Sequence, residues 1–215
     1  MTKRYMVFIF SIFVNAFGNA LMLKGSVGST PWAAAFDNMA QFTNLTPGAC
    51  CIILSIIFYI VAKIVGKDFD MKETIICAIS SASYGGITDL YLLVIGYEPS
   101  TSVVVNYILA IVGIVVVAYS VSIAIQANVG YLAIDNYARN LKVYVFKNNV
   151  IKAVLFTSAT AIAIAVVTGF LSGRIKNITV LTLLVTLFLG NIIAVFDKLC
   201  VIKFPNVNRK IVQSS

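Results

Sequence analysis

Four aspartates set in apolar sequence hold the acid–base and ion-binding potential of this chain: Asp37, Asp89, Asp135 and Asp197. The remaining carboxylates, Asp68, Asp70, Glu73 and Glu98, fall in short polar stretches where solvation accounts for them. Histidine is absent, which excludes Ser-His-Asp and Cys-His devices and HExxH zinc sites. The Gly-x-Gly-Asp pattern of an intramembrane aspartyl protease is not met, since Asp89 follows Gly85-Gly86-Ile87-Thr88. No phosphate-cradling loop or nucleotide motif occurs. The chemistry left to these acids is binding a proton or a cation, because an ionised side chain at membrane depth faces a partner or an aqueous cavity, and it favours a cation, a proton-coupled neutral solute or an amphiphile over an anion. No enzymatic activity, cofactor or metal is expected.

Two of the four acids recur in a repeated hexad. Ala35-Phe36-Asp37-Asn38-Met39-Ala40 returns as Ala133-Ile134-Asp135-Asn136-Tyr137-Ala138, each copy shortly after a Val-Gly step, Val27-Gly28 and Val129-Gly130. Internal repeats govern how a fold is read. The elements that carry these residues follow from composition. With 60% hydrophobic and 11% charged residues, the chain cannot cover a core with a charged shell, and it reads as a single all-α polytopic membrane domain over residues 1–215. The net charge of +8 does not indicate nucleic acid, because the bases lie beside the ends of apolar runs, where headgroups and topology are read. The cysteines Cys50, Cys51, Cys77 and Cys200 lie in or beside apolar stretches without CxxC spacing and read as small packing residues.

A span needs about 20 mostly apolar residues, which predicts six: 5–23, 48–65, 74–95, 102–125, 150–171 and 178–202. The two Asp-Asn segments differ in kind. Thr30-Pro31 is a helix start, with Thr as N-cap and Pro at the first position, and Pro47-Gly48 is a stop. Some 16 residues at ~1.5 Å each make a helix of about 24 Å, short of a ~30 Å hydrocarbon core. The second segment, 130–141, is shorter and carries Arg139. Neither reads as a span.

Charge placement predicts the topology. With both short helices non-spanning, thirteen cationic residues collect on one side, among them Lys3, Arg4, Lys63, Lys67, Lys72, Arg139, Lys203, Arg209 and Lys210. Lys24, Arg174 and Lys176 remain on the other. The positive-inside rule makes the first side cytoplasmic, with both termini and the tail 203–215 there. Three spans per repeat, an odd number, make the repeats 5–95 and 102–202 inverted, a recurrent construction of secondary transporters with binding at the repeat interface.

This topology groups Asp37 and Asp89 towards the outside and Asp135 and Asp197 towards the cytoplasm, each pair expected to line one vestibule. Asn38 and Asn136 join the candidate substrate or proton site, and Asn15, Asn19, Trp32 and Asn191 are candidate cavity-lining residues. The structural alternative is that Asp197 pairs with Lys198 or Lys203, and that Asp37 and Asp135 bind backbone at a helix turn.

Gly18-Asn19-Ala20-Leu21, followed by Gly28-Ser29-Thr30-Pro31-Trp32 and by Gly48 opening the next span, resembles the first half of the YczE/YitT-like bacterial integral membrane proteins. The likeness is clearest over residues 15–66. Ala33 follows Pro-Trp where many members carry Asp, and the nearest acid here is Asp37. The resemblance implies a multi-span protein of the bacterial plasma membrane, an exporter or permease. The expected function is a small secondary transporter for a small organic solute or cation. The alternatives are a substrate-binding subunit of an uptake system and a passive channel. Expected partners are the lipid bilayer and the solute, with a homodimer open.

Overall fold

A computed structural model describes residues 2–66, 70–200 and 202; the expected tail 203–215, with Lys203, Arg209 and Lys210, and the loop residues Lys67 and Asp68 lie outside them. Among the described residues the chain is all-helical, with eight α-helices: α1 (Thr2–Gly25), α2 (Pro31–Thr43), α3 (Pro47–Gly66), α4 (Met71–Ile95), α5 (Val103–Ala127), α6 (Ala133–Asn140), α7 (Val150–Leu171) and α8 (Val180–Leu199), with a π-helical turn, Leu141–Val145, continuing α6. Six of them, all except α2 and α6, are long and apolar enough to cross a membrane. The protein is a multi-pass membrane protein.

The central pair is α1 and α5. Gly18 and Gly113 bring the two backbones together: a Cβ on Gly113 would lie 2.6 Å from the Gly18 carbonyl oxygen, and one on Gly18 would lie 2.9 Å from that of Gly113. Gly25 meets Asn106, and Arg4 donates to the carbonyls of Ala127 and Asn128, so the helices run antiparallel. Small residues permit such contact where lipid supplies no hydrophobic drive between helices.

The other helices attach in two corresponding sets. Helix α4 packs on α1 and α8 on α5; α3 packs on α6 and its π-turn, and α7 on α2. Lys24 Nζ donates to the Ile95 carbonyl, so α4 runs parallel to α1. Gln126 accepts from the Ile202 N–H at 2.8 Å, and α8 runs parallel to α5. The face on which α1 begins is called the first face below, the opposite one the second.

The short helices follow from their ends. Thr30 caps α2 through the Ala33 N–H, Pro31 stands at its first position, and Asn44 ends it in the left-handed region, the stop falling three residues before Pro47. The second segment starts later than expected, at Ala133, because Tyr131 and Leu132 remain extended and non-helical, and it runs on as the π-turn. At 13 and 8 residues, neither reaches across the ~30 Å hydrocarbon core.

Gly113→Val should destabilise the protein by about 1–3 kcal/mol, as overpacking of a close contact does. Gly86→Ala, at a position with open space around it, should stay within ~1 kcal/mol and on the stabilising side. Thermal unfolding in detergent checks this; equal midpoints for the two variants would contradict the backbone contact.

Candidate functional site

The two Asp-Asn helices lie at opposite faces. Asp37 on α2 is 1% exposed, and its carboxylate is held by two donors at the second face. Tyr97, in the turn after α4, donates its hydroxyl to one oxygen, and Asn177, in the loop before α8, donates its amide to the other at 2.5 Å. Burial raises the Asp37 carboxyl above its ordinary value, opposed by the Tyr97 and Asn177 hydrogen bonds and the positive charges of Lys176 and Arg174. Burial, with Asp37 beside it, raises the Tyr97 hydroxyl. The clamp is not fully satisfied, because Asn177 Oδ1 is buried without a hydrogen-bond partner among the described residues.

Asn38 works beside this clamp. Its amide brackets the Lys176 backbone, donating to the carbonyl at 2.7 Å and accepting from the N–H at 2.9 Å. Ser29 N–H meets Thr182 Oγ1 at 3.3 Å and Thr179 Oγ1 donates to the Val27 carbonyl at 2.6 Å. The loops before α2 and before α8 are thereby knitted together over Asp37.

The first face uses matched parts. Asn136 donates to Glu73 at 3.3 Å, as does Arg139, and Lys63 completes the cluster with the second Glu73 oxygen at 3.3 Å. The Ala133 N–H meets Ser81 Oγ at 3.0 Å, and Asn140 donates to the Ala62 carbonyl at 2.7 Å. Each asparagine thus fastens its short helix to the loop or first turn that leads into a helix of the other half.

The aspartates, by contrast, differ. Asp135 faces a cavity of 220 Å³ between α1, α5, α6 and the segment before α6, lined by Phe8, Ser11, Ile12, Asn15, Tyr131 and Asp135 among others. Its side chain keeps exposed surface, and the only hydrogen bond to it among the described residues comes from the Leu132 backbone. The protein packed around it pushes the carboxyl up to about 6, while that bond acts the other way.

The other two acids act as pins. Asp89 accepts from Thr46 Oγ1 at 2.5 Å and from the Gly48 N–H at 2.7 Å, joining α4 to the N-terminus of α3, where a negative charge is favoured by the helix dipole. Asp197 accepts from Ser122 Oγ and, at 3.4 Å, from Gln126, holding α8 on α5; Lys198 is not its partner. Asp37 and Asp89 line separate depressions that share only Tyr97 among their walls, and among the described residues no contact joins Asp135 to Asp197. The structure brings neither expected pair together.

Of the candidate lining residues, Asn15 borders the Asp135 cavity. Asn19 is buried, donating to Asn15 Oδ1 at 2.7 Å and accepting from Thr30 Oγ1 at 3.2 Å, and so ties α1 to the cap of α2. Trp32 packs in the core, its ring 4.9 Å from that of Phe58, instead of lining a cavity. Asn191 is exposed on α8 and makes no hydrogen bond among the described residues. Tyr97, Asn177 and Glu73 are the partners that sequence reasoning missed. Their only signal was a polar residue at the end of a span or between two spans.

Six spanning helices around two short ones, each short helix placing an aspartate and an asparagine at one face, define a polytopic membrane protein with paired polar sites. Residues 2–198 match the family of unknown function DUF6198, and the chain belongs to it. No match to the chain is found among the curated proteins or the solved structures.

The raised Asp135 value has a sign that can be tested. The folded chain holds this proton more tightly than the unfolded one, so the contribution is fully present below 3.8 and is lost as pH rises through about 6. Asp135→Asn should therefore flatten the fall of the thermal midpoint across this window relative to wild type. Asp37 contributes equally to both profiles and drops out of the difference; parallel profiles would contradict the assignment.

Proposed function

We propose that the protein is a small secondary transporter of the bacterial plasma membrane, working by alternating access between two inverted repeats, 5–95 and 102–202. The observation that carries this reading is the unequal state of two equivalent acids. Asp37 is sealed by Tyr97 and Asn177, whereas Asp135 opens onto a cavity. A symmetric scaffold holding one closed and one open site is what an alternating-access protein looks like in one of its two end states.

Several features support the repeat. Exchanging α1 with α5, α2 with α6, α3 with α7 and α4 with α8 carries the packing of α4 on α1 into that of α8 on α5, and α7 on α2 into α3 on α6. It also carries the Asn38 contact with the loop before α8 into the Asn136 contact with the first turn of α4. Such exchange needs a twofold axis lying in the membrane plane, since α1 and α5 are antiparallel. The exchange is incomplete in one place: α3 packs on α4, with Asp89 between them, while no comparable packing joins α7 to α8. Residues 15–66, which resemble the YczE/YitT-like proteins, agree with a permease architecture.

Lys3, Arg4, Lys63, Lys72, Arg139 and Lys142 gather at the first face, against Lys24, Arg174 and Lys176 at the second, which makes the first face cytoplasmic. The conformation described is then open inwards and sealed outwards. The orphan Asn177 oxygen favours reversibility, because an unpaired buried acceptor carries a penalty of about 1–3 kcal/mol that hydration on opening relieves.

Reciprocal accessibility is the test. In a background lacking the native thiols, Ile125→Cys at the first-face cavity should react with a membrane-impermeant maleimide from the cytoplasmic side only. Leu23→Cys at the second face should be protected. Adding Tyr97→Phe should expose position 23 from the outside and slow labelling at 125. Labelling of both positions from one side, or no response to Tyr97→Phe, would sink the proposal.

A further inference from the structure

The first-face cavity carries information about what it binds. Among the described residues, Asp135 is the sole charged group that lines it. The two nearest guanidinium groups are already engaged: Arg4 donates to the Ala127 and Asn128 carbonyls, and Arg139 donates to Glu73 while lying 5.1 Å over the Tyr131 ring. Neither lines the cavity. An anion entering it would meet a carboxylate and no compensating donor cluster.

A divalent metal is no better served. Ca2+ takes six to eight oxygen ligands and Zn2+ three or four protein ligands, and no group of three His, Cys, Asp or Glu side chains that could hold a metal exists among the described residues. Ser11 has turned its hydroxyl inward to the Phe8 carbonyl at 2.6 Å, which leaves few side-chain oxygens beside the carboxylate.

Most of the remaining wall is apolar or aromatic, with Phe8, Ile12, Val121, Ile125, Leu132 and Tyr131, and its uncharged polar residues are Ser11, Asn15 and Asn128. Phe8 borders the cavity while the rest of its ring packs into the core, leaving it 5% exposed. A single carboxylate, an aromatic face and aliphatic walls are the elements with which proteins hold ammonium ions bearing carbon substituents, through charge, cation–π attraction and burial of the alkyl groups. We infer that this cavity binds a monovalent organic ammonium ion, with Asp135 as its counter-charge, Phe8 as its aromatic wall and Asn15 within reach of its polar end. The inference rests on the transporter reading in taking this cavity as the substrate site.

Calorimetric binding to the purified protein tests it with choline, tetramethylammonium and butylammonium, against the neutral choline isostere 3,3-dimethyl-1-butanol and the anion butyrate. At least one cation should bind while the isostere and butyrate do not. Asp135→Asn should weaken that binding by about 30-fold or more, the loss expected when one partner of a buried charge pair is removed. Ile125→Trp, which fills the cavity without touching the charge, should abolish it, and Glu98→Gln, an acid at the other face, should leave it unchanged. Binding of none of the three cations, equal binding of the isostere, or full binding to both Asp135→Asn and Ile125→Trp would overturn the inference. Vesicle flux separates the two readings. Tight cation binding without movement of labelled choline across the bilayer removes the transporter and keeps the site. Saturable flux of a neutral solute or of butyrate without cation binding does the reverse.

Discussion

The crossing of α1 and α5 at Gly18 and Gly113 is the contact on which the rest of the structure depends. In a bilayer, helix faces gain little from leaving lipid, so two helices associate only as closely as their surfaces allow. The paired glycines remove the side chains from the crossing and let the backbones touch. Once this antiparallel pair is set, α4 and α8 take equivalent grooves on its two sides, and the loops after α1 and α5 leave at opposite faces. The short helices α2 and α6, and with them Asp37 and Asp135, are separated across the membrane by that one geometric fact.

Polar pins then fasten the packed helices to one another. Asp89 secures α3 to α4, Asp197 secures α8 to α5, and Asn38 and Asn136 secure the short helices to the opposite half. A hydrogen bond away from water is strong, and an unmade one is expensive. At the second face the donors around Asp37 are engaged, and α3 and α4 are joined. At the first face, among the described residues, Asp135 has only a backbone partner and α8 stands apart from α7. The two faces differ in how their aspartates are held.

Much of the architecture was legible from residue order. The spans were readable because crossing a hydrocarbon layer demands about 20 apolar residues in a row, and α2 was readable because Thr30-Pro31 specifies a helix start by local chemistry. The third dimension of the site was not. Tyr97 reads as an interfacial aromatic, and Asn177 as loop polarity; that both reach Asp37, from 60 and 140 residues away, is a tertiary fact without a periodic signature. Glu73 reads as a solvated loop acid, yet it joins Lys63, Asn136 and Arg139, because the end of α3 and the start of α4 meet α6 there. Asp89 reads as a vestibule residue and proves to be a cap, since the nearest unsatisfied donors belong to the first turn of α3. Trp32, conspicuous as the one tryptophan, is spent on packing against Phe58.

Alternating access is tested most directly by pulsed electron resonance distances between spin labels at each face, compared in wild type and in Asp37→Asn, which weakens the acceptor that holds the second-face clamp. Labels at Glu98 and Arg174 report the second face, and labels at Lys72 and Lys147 the first, all four being exposed. Alternating access predicts that the substitution lengthens the second-face distance while shortening the first-face distance. Unchanged distances at both faces, or changes of the same sign, would contradict it.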